Sequence, residues 1–261
     1  MKKAILRLAT LILVLIVGSS IVMAEEDKPT ASADVGVFDK YVWRGYELSD
    51  DSVVIQPSIT MSYKDFSLNL WGNLDTRMDN DTHSNQFNET DMTLSYDKEF
   101  GPVCLGVGYI YYGLDDADDS EEIYLSIGID TILSPTLTAY RETAHLPSWY
   151  FIFAVSHSFE LPKDITLDLA GSVGYYYADN ADDFAEYNSQ LEASNDPYRS
   201  FHDGLVSIGL TIPLTEYMTL SPVVSYSFPL TGDADNHIAA VNPYSDDSDY
   251  VYGGATVSIA F

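Results

Sequence analysis

Apolar and polar positions alternate without a break between Ile165 and Tyr177. Ile165, Leu167, Leu169, Gly171, Val173, Tyr175 and Tyr177 share one parity; Thr166, Asp168, Ala170, Ser172, Gly174 and Tyr176 share the other. Successive side chains leave a β-strand on opposite faces, so this segment reads as a strand with one apolar face and one small or polar face. The same split recurs from Val251 to Phe261, from Met218 to Phe228 and from Trp149 to Ser156. Carried along the chain, the pattern gives twelve segments: about 34–46, 53–63, 66–76, 89–99, 103–113, 121–130, 135–144, 148–159, 165–178, 202–213, 218–229 and 250–261. Most are close to the roughly 9–11 residues with which a tilted strand crosses a bilayer. In 34–46 and 135–144 charges fall on both parities, so those faces are less cleanly divided.

The breaks between segments alternate in length. Short ones are Lys64-Asp65, Phe100-Gly101-Pro102, Thr131 to Ser134, Glu160 to Asp164 and Leu214 to Tyr217. Long or acidic ones are Glu47 to Ser52, Arg77 to Asn88, Leu114 to Ser120, His145 to Pro147, Asp179 to Phe201 and Leu230 to Asp249. Outer-membrane barrels have an even strand number, short periplasmic turns and longer outside loops. A soluble β-sandwich also alternates, but nothing in it sorts loops by length, and it would bury its large aromatics in a core. Here the aromatics gather at strand ends: Phe66, Phe100, Phe159, Tyr217 and Phe261 toward the short turns, and Trp43, Tyr111, Trp149, Tyr175 and Tyr177 toward the long loops. These are the expected membrane-interface girdles. The fold expected is all-β: a transmembrane, antiparallel, up-and-down barrel of about twelve strands.

The start of the chain fits export. Basic Met1-Lys2-Lys3-Ala4-Ile5-Leu6-Arg7 precedes an apolar run from Leu8 to Val17, and Val22-Met23-Ala24 stands before acidic Glu25-Glu26-Asp27. This is the form of a secretory signal with Ala24 as its last residue; the apolar run is well short of the roughly 20 residues of a spanning helix. The expected layout is a signal peptide at 1–24, a flexible periplasmic lead at 25–33 and the barrel at 34–261. Loss of Lys2, Lys3 and Arg7 leaves nine basic residues against 40 acidic ones, a formal charge of −31. Such a chain does not hold nucleic acid or anionic lipid by charge, and it attracts cations. Cys104 is the single cysteine, which excludes an internal disulfide and reads as an inert wall residue.

Lys40-Tyr41-Val42-Trp43-Arg44-Gly45, followed by Gln56-Pro57-Ser58 and Phe66-Ser67-Leu68-Asn69-Leu70-Trp71-Gly72, resembles the opening of the TorF-type porin family of proteobacteria, as does Ser156-His157-Ser158-Phe159 further on. The resemblance implies the outer membrane of a Gram-negative bacterium and a channel role. Terminal Phe261, with apolar residues at alternate positions before it, resembles the signal read by the barrel-assembly machinery, although Thr256 stands where that signal has glycine.

With the apolar parity toward lipid and lipopolysaccharide, the other parity lines a lumen. The candidate lining is Gln56, Asn69, Asn73, Asp75, Asp97, Asp130 and Asp168, with Lys40, Arg44 and Arg141 as basic partners. Two readings stay open: a narrow watery path whose acids favour small cations or small polar solutes, and a barrel plugged by ion pairs, with a structural or receptor role. The clustered loop carboxylates, such as Asp115 to Glu122, lack the spacing of a defined Ca²⁺ site, so no metal and no cofactor is assigned. A lipid hydrolase would need His145 and Ser148, or His157 and Ser158, to converge with an orienting group, and neither pair sits in a motif; the chain is read as a non-enzyme. Phe184 to Tyr187 is compatible with a short helix inside the loop Asp179 to Phe201.

Overall fold

The computed structural model describes residues 28–76, 86–115 and 117–261. In chain order the strands are β1 (Thr30–Phe38), the two-residue pair β2 (Val42–Trp43) and β3 (Tyr46–Glu47), then β4 (Val54–Tyr63), β5 (Phe66–Asp75), β6 (Gln86–Phe100), β7 (Val103–Leu114) and β8 (Ser120–Ile129). They continue as β9 (Thr136–Glu142), β10 (Ser148–Glu160), β11 (Thr166–Ala178), the short pair β12 (Ala185–Tyr187) and β13 (Ala193–Pro197), β14 (Arg199–Pro213), β15 (Met218–Pro229) and β16 (Tyr250–Ala260); one helix, α1 (Gly232–Val241), lies between the last two.

Twelve of these strands form one closed antiparallel barrel in the order β1-β16-β15-β14-β11-β10-β9-β8-β7-β6-β5-β4. β1 closes the ring by pairing on both sides, with Ser32 opposite Ala260 and Thr60. Closure matters physically because in lipid each backbone N–H and C=O must find a partner within the protein. The short turns carry the expected chemistry: Gly101 (φ 64°) stands first in the two-residue Gly101-Pro102 turn, where a left-handed residue matches the twist of the flanking strands.

Two boundaries differ from expectation. The segment 34–46 is not one strand: β1 ends at Phe38, and the chain then turns into the barrel mouth as the β2–β3 hairpin. β1 also starts at Thr30, so the last part of the lead expected at 25–33 is barrel wall, because the seam strand needs partners along its whole length. The signal segment 1–24, Glu25 to Asp27, most of the loop Arg77 to Asn88, and Asp116 lie outside the described residues. The helix expected around Phe184 to Tyr187 is instead β12, paired with β13.

The two parities face opposite media. Outward positions are large and apolar, with Leu125 62 % and Val251 67 % exposed, and Val35, Phe153, Val206, Ile208 and Val224 likewise uncovered. A continuous apolar belt around a closed barrel suits hydrocarbon and not water. The chain is an outer-membrane β-barrel. Its interior has two levels. Toward the long loops it is packed with aromatics, in which Tyr112, Tyr124, Tyr140, Tyr150, Tyr176 and Tyr198 form one buried cluster. Toward the short turns it is lined by Ser, Thr and Asp that stay half-buried, among them Ser158, Asp168 and Thr211.

Candidate functional site

The mouth is built around the hairpin that follows β1. Its turn is Arg44 (φ 48°) and Gly45 (φ 81°) between Trp43 and Tyr46, the two consecutive left-handed residues of a type I′ turn. Gly45 has a second reason to be glycine: a Cβ there would sit 3.0 Å from Asp203 Cβ and 3.2 Å from Ile238 Cδ1. The base of the hairpin is held by Tyr41 N–H donating to Ser49 Oγ at 2.8 Å, and by Lys40, which pairs with Glu47 and Asp51.

The turn delivers Arg44 to the far wall. Its Nη1 and Nη2 each donate to one oxygen of Glu122 at 2.7 Å, and both side chains are buried. The guanidinium lies 4.3 Å from the Trp43 ring, 4.6 Å from Tyr140 and 4.3 Å from Tyr150. Tyr112 donates its hydroxyl to Glu122 Oε2 at 2.9 Å, and Tyr150 donates to Asp203 Oδ1 at 2.8 Å. Burial is the largest single influence and works against the charge on Arg44, but Glu122, Tyr176 and Tyr112 together outweigh it and hold the guanidinium pKa well above its ordinary value. Both ions of a buried pair must be this well satisfied for the pair to persist.

Two loops cover the hairpin. α1 is capped by Thr231, whose side chain accepts from Ala234 N–H at 3.1 Å, and carries Asp233 and Asp235 in its first turn, where they complement the helix dipole. It buries Ala234, His237, Ile238 and Ala239. The His237 ring stacks on Tyr198 with centroids 4.0 Å apart, and its Nδ1 donates to the Ala185 carbonyl at 3.1 Å.

Below the hairpin the lumen is polar. Ser58 donates to Asp34 at 3.3 Å, Gln56 Nε2 to Asn73 Oδ1 at 3.0 Å, and Asn69 Nδ2 to Thr60 Oγ1 at 2.8 Å. Asp168 accepts from Ser158 at 2.6 Å and Thr211 at 2.8 Å. Charge is sorted by face. Among the described residues the basic side chains on barrel strands are Lys98, Arg141 and Arg199, and all three point outward. The acids Asp34, Glu89, Asp91, Asp97, Glu122 and Asp203 point inward, and among the described residues Lys and Arg reach the interior through the segment after β1, as Lys40 and Arg44.

Of the expected lining residues, Gln56, Asn69, Asn73, Asp75, Asp97 and Asp168 lie on the lumen face of their strands. Lys40 and Arg44 are inside but on the hairpin, not the wall. Two are corrected. Asp130 is exposed in a short turn, where its N–H donates to Pro102 O at 2.7 Å. Arg141 is on the outward parity of β9, paired with Asp179 at 2.6 Å and set over the Trp149 ring, and it holds Asp179 below the usual carboxylate range. Of the expected girdle, Phe66, Phe100, Phe159, Tyr217 and Phe261 are exposed at the short-turn end, and Tyr111, Trp149, Tyr175 and Tyr177 face outward at the other. Trp43 is the exception: carried inward by the hairpin, it packs edge-on against Tyr112. Half-buried Cys104 is on the lumen parity of β7.

The residues considered for hydrolysis do not converge. Ser148 faces the lumen while His145 is exposed in a loop; His157 faces outward beside the Ile132 carbonyl while Ser158 faces inward to Asp168. Among the described residues no three His, Cys, Asp or Glu side chains come together as a metal site.

Compared with known proteins, residues 24–149 match the model of Gcw_chp, a bacterial protein family of unknown function. No curated protein matches by sequence. Among solved structures, the NanC porin superposes with a TM-score of 0.55 at 10 % identity, over 87 % of this chain and 98 % of that one. The KdgM porin gives 0.53 at 12 % identity, over 88 % and 99 %. The chain has a porin fold.

Several interior groups escape a reading by parity. Asp34, Asp91 and Glu122 share the polar parity of their strands and were recoverable from it. His202 and Asp203 were not: adjacent residues should face opposite ways, but a β-bulge in β14 opposite Val173 and Tyr175 turns both inward, to 0 % and 5 % exposure. His237 sits in a loop helix and carries no local signal at all.

Proposed function

We propose that this protein is a narrow, passive channel of the TorF porin type, admitting small cations or small polar solutes. The reading rests on one observation above the rest: acids line the lumen while every described base on a barrel strand points away from it. A low-dielectric wall concentrates that field along the axis, which raises the local concentration of cations and repels anions. The half-buried Ser, Thr and Asp of the lower lumen suit a watered vestibule. The outward belt contacts outer-membrane lipid and lipopolysaccharide, and Phe261 is the group offered to the barrel-assembly machinery.

A second reading, a plugged barrel with a structural or receptor role, is favoured by the hairpin, which seats a buried ion pair across the mouth. Planar-bilayer recording of the purified protein separates the two. Discrete conductance steps with a cation-biased reversal potential support the channel; bilayers that stay silent at all voltages support the plug.

A further inference from the structure

The partners of Arg44 divide into two halves. Glu122, Tyr112, Tyr140 and Tyr150 belong to four consecutive barrel strands, β8, β7, β9 and β10, and are held by pairing that the hairpin does not supply. Tyr112 orients the Glu122 carboxylate from behind, and Asp203 fixes the Tyr150 hydroxyl. The hairpin supplies the occupant and one further ring, Trp43. What the wall presents is therefore a receptor: one carboxylate with both oxygens aimed into the lumen, between the faces of two aromatic rings.

That geometry has a definite chemical preference. The two 2.7 Å contacts from separate nitrogens to separate oxygens need a planar, forked donor, which a guanidinium has and an ammonium lacks. The ring faces at 4.3 and 4.6 Å add attraction for a flat delocalised cation. We propose that this wall is a binding site for small monosubstituted guanidinium solutes, and that Arg44 occupies it as the chain's own competing ligand. Its consequence for transport rests on the channel reading, since only in a channel does displacing Arg44 open a path; the binding itself does not. A tethered competitor acts at an effective concentration on the order of millimolar or above, so free solute reaches the site in the intact protein at comparable concentrations.

The test uses methylguanidinium as probe and methylammonium as control, at constant ionic strength. Thermal unfolding of the detergent-folded barrel is followed in the native protein, in Arg44→Ala, and in Arg44→Ala combined with Glu122→Gln. The expected result is saturable stabilisation of Arg44→Ala by methylguanidinium at concentrations at least tenfold below those required of methylammonium. Native protein should respond at least tenfold more weakly, and the double variant should show no preference. Equal responses to the two probes, or none, overturn the proposal. Should Arg44→Ala fail to form a heat-modifiable barrel, Arg44→Lys replaces it: lysine keeps the charge without the fork, so methylguanidinium should act at lower concentration than in native protein, and no change overturns the idea. Bilayer recording separates this from the channel reading. Conductance that rises with methylguanidinium but not methylammonium supports both. Conductance indifferent to either probe overturns the transport consequence and leaves the channel, whereas silence with probe-specific stabilisation overturns the channel and leaves the site.

Discussion

His202 of β14 donates from Nε2 to the main-chain carbonyl of Arg44 at 3.0 Å and accepts at Nδ1 from the Tyr198 hydroxyl at 2.8 Å. A carbonyl can only accept, so the ring must carry its proton on Nε2 and leave Nδ1 bare. One neutral imidazole thereby ties the hairpin turn, the loop before β14 and the barrel wall together. Replacing His202 with Phe keeps the ring volume and removes both bonds. Faster proteolysis within the hairpin, with barrel heat-modifiability retained, is the expected outcome; unchanged hairpin protection would show that packing alone seats it.

The neighbouring His237 makes the mouth sensitive to acid. Burial pushes its imidazole from the ordinary 6.5 down to about 4. A lowered folded pKa means the unfolded chain takes the proton first, so its contribution is intact above about pH 6.5, falls as pH drops toward 4, and levels off below. The loss is at most about 3 kcal/mol. Unfolding midpoints measured across this range should fall with acid in native protein and fall less in His237→Gln.

Glu122→Gln leaves the Arg44 guanidinium buried without its counter-charge. Breaking one side of a buried pair costs about 3–5 kcal/mol, whereas Arg44→Ala with Glu122→Gln should cost less than the two single changes added together. Denaturant unfolding of the four proteins gives the coupling directly.

Gly45→Ala places a Cβ on a left-handed residue already in contact with Asp203 and Ile238. Left-handed backbone at a non-glycine residue costs on the order of 1–3 kcal/mol, and here the strain falls on the hairpin, not the wall. More frequent open events in bilayers, at little change in barrel melting, would be the signature.

Asp168→Asn removes inward charge and should lower the cation-to-anion permeability ratio by about twofold or more. Arg141→Gln and Lys98→Gln, both outward, should leave reversal potentials where they are. On the lipid side, Leu125→Arg should cost about 2–4 kcal/mol of folding into vesicles, while Ser207→Arg on the lumen side should change selectivity instead.

The barrel was legible because its rule is local. Period two along each strand, and long and short breaks in alternation, locate the wall to within a few residues at most ends. The mouth was not, because its parts obey no period. Arg44 and Trp43 continue the alternation of 34–46 on paper, yet the left-handed pair at Arg44 and Gly45 folds that stretch back on itself. Arg141 escapes the reading for a related reason: charges on both parities of β9 hide which face is wet, and its partner Asp179 follows β11, two strands along the wall. His237 and Glu122 are joined to their partners by tertiary packing alone, and no window of sequence contains that.

The hairpin hangs directly from β1, and β1 is also the strand that must meet β16 to finish the wall. Sealing the cylinder and stoppering it are thus a single act. A chain cannot complete its last row of hydrogen bonds without committing the following fifteen or so residues to the space inside. Truncations that spare the hairpin but remove β16 should therefore leave it without a closed lumen around it.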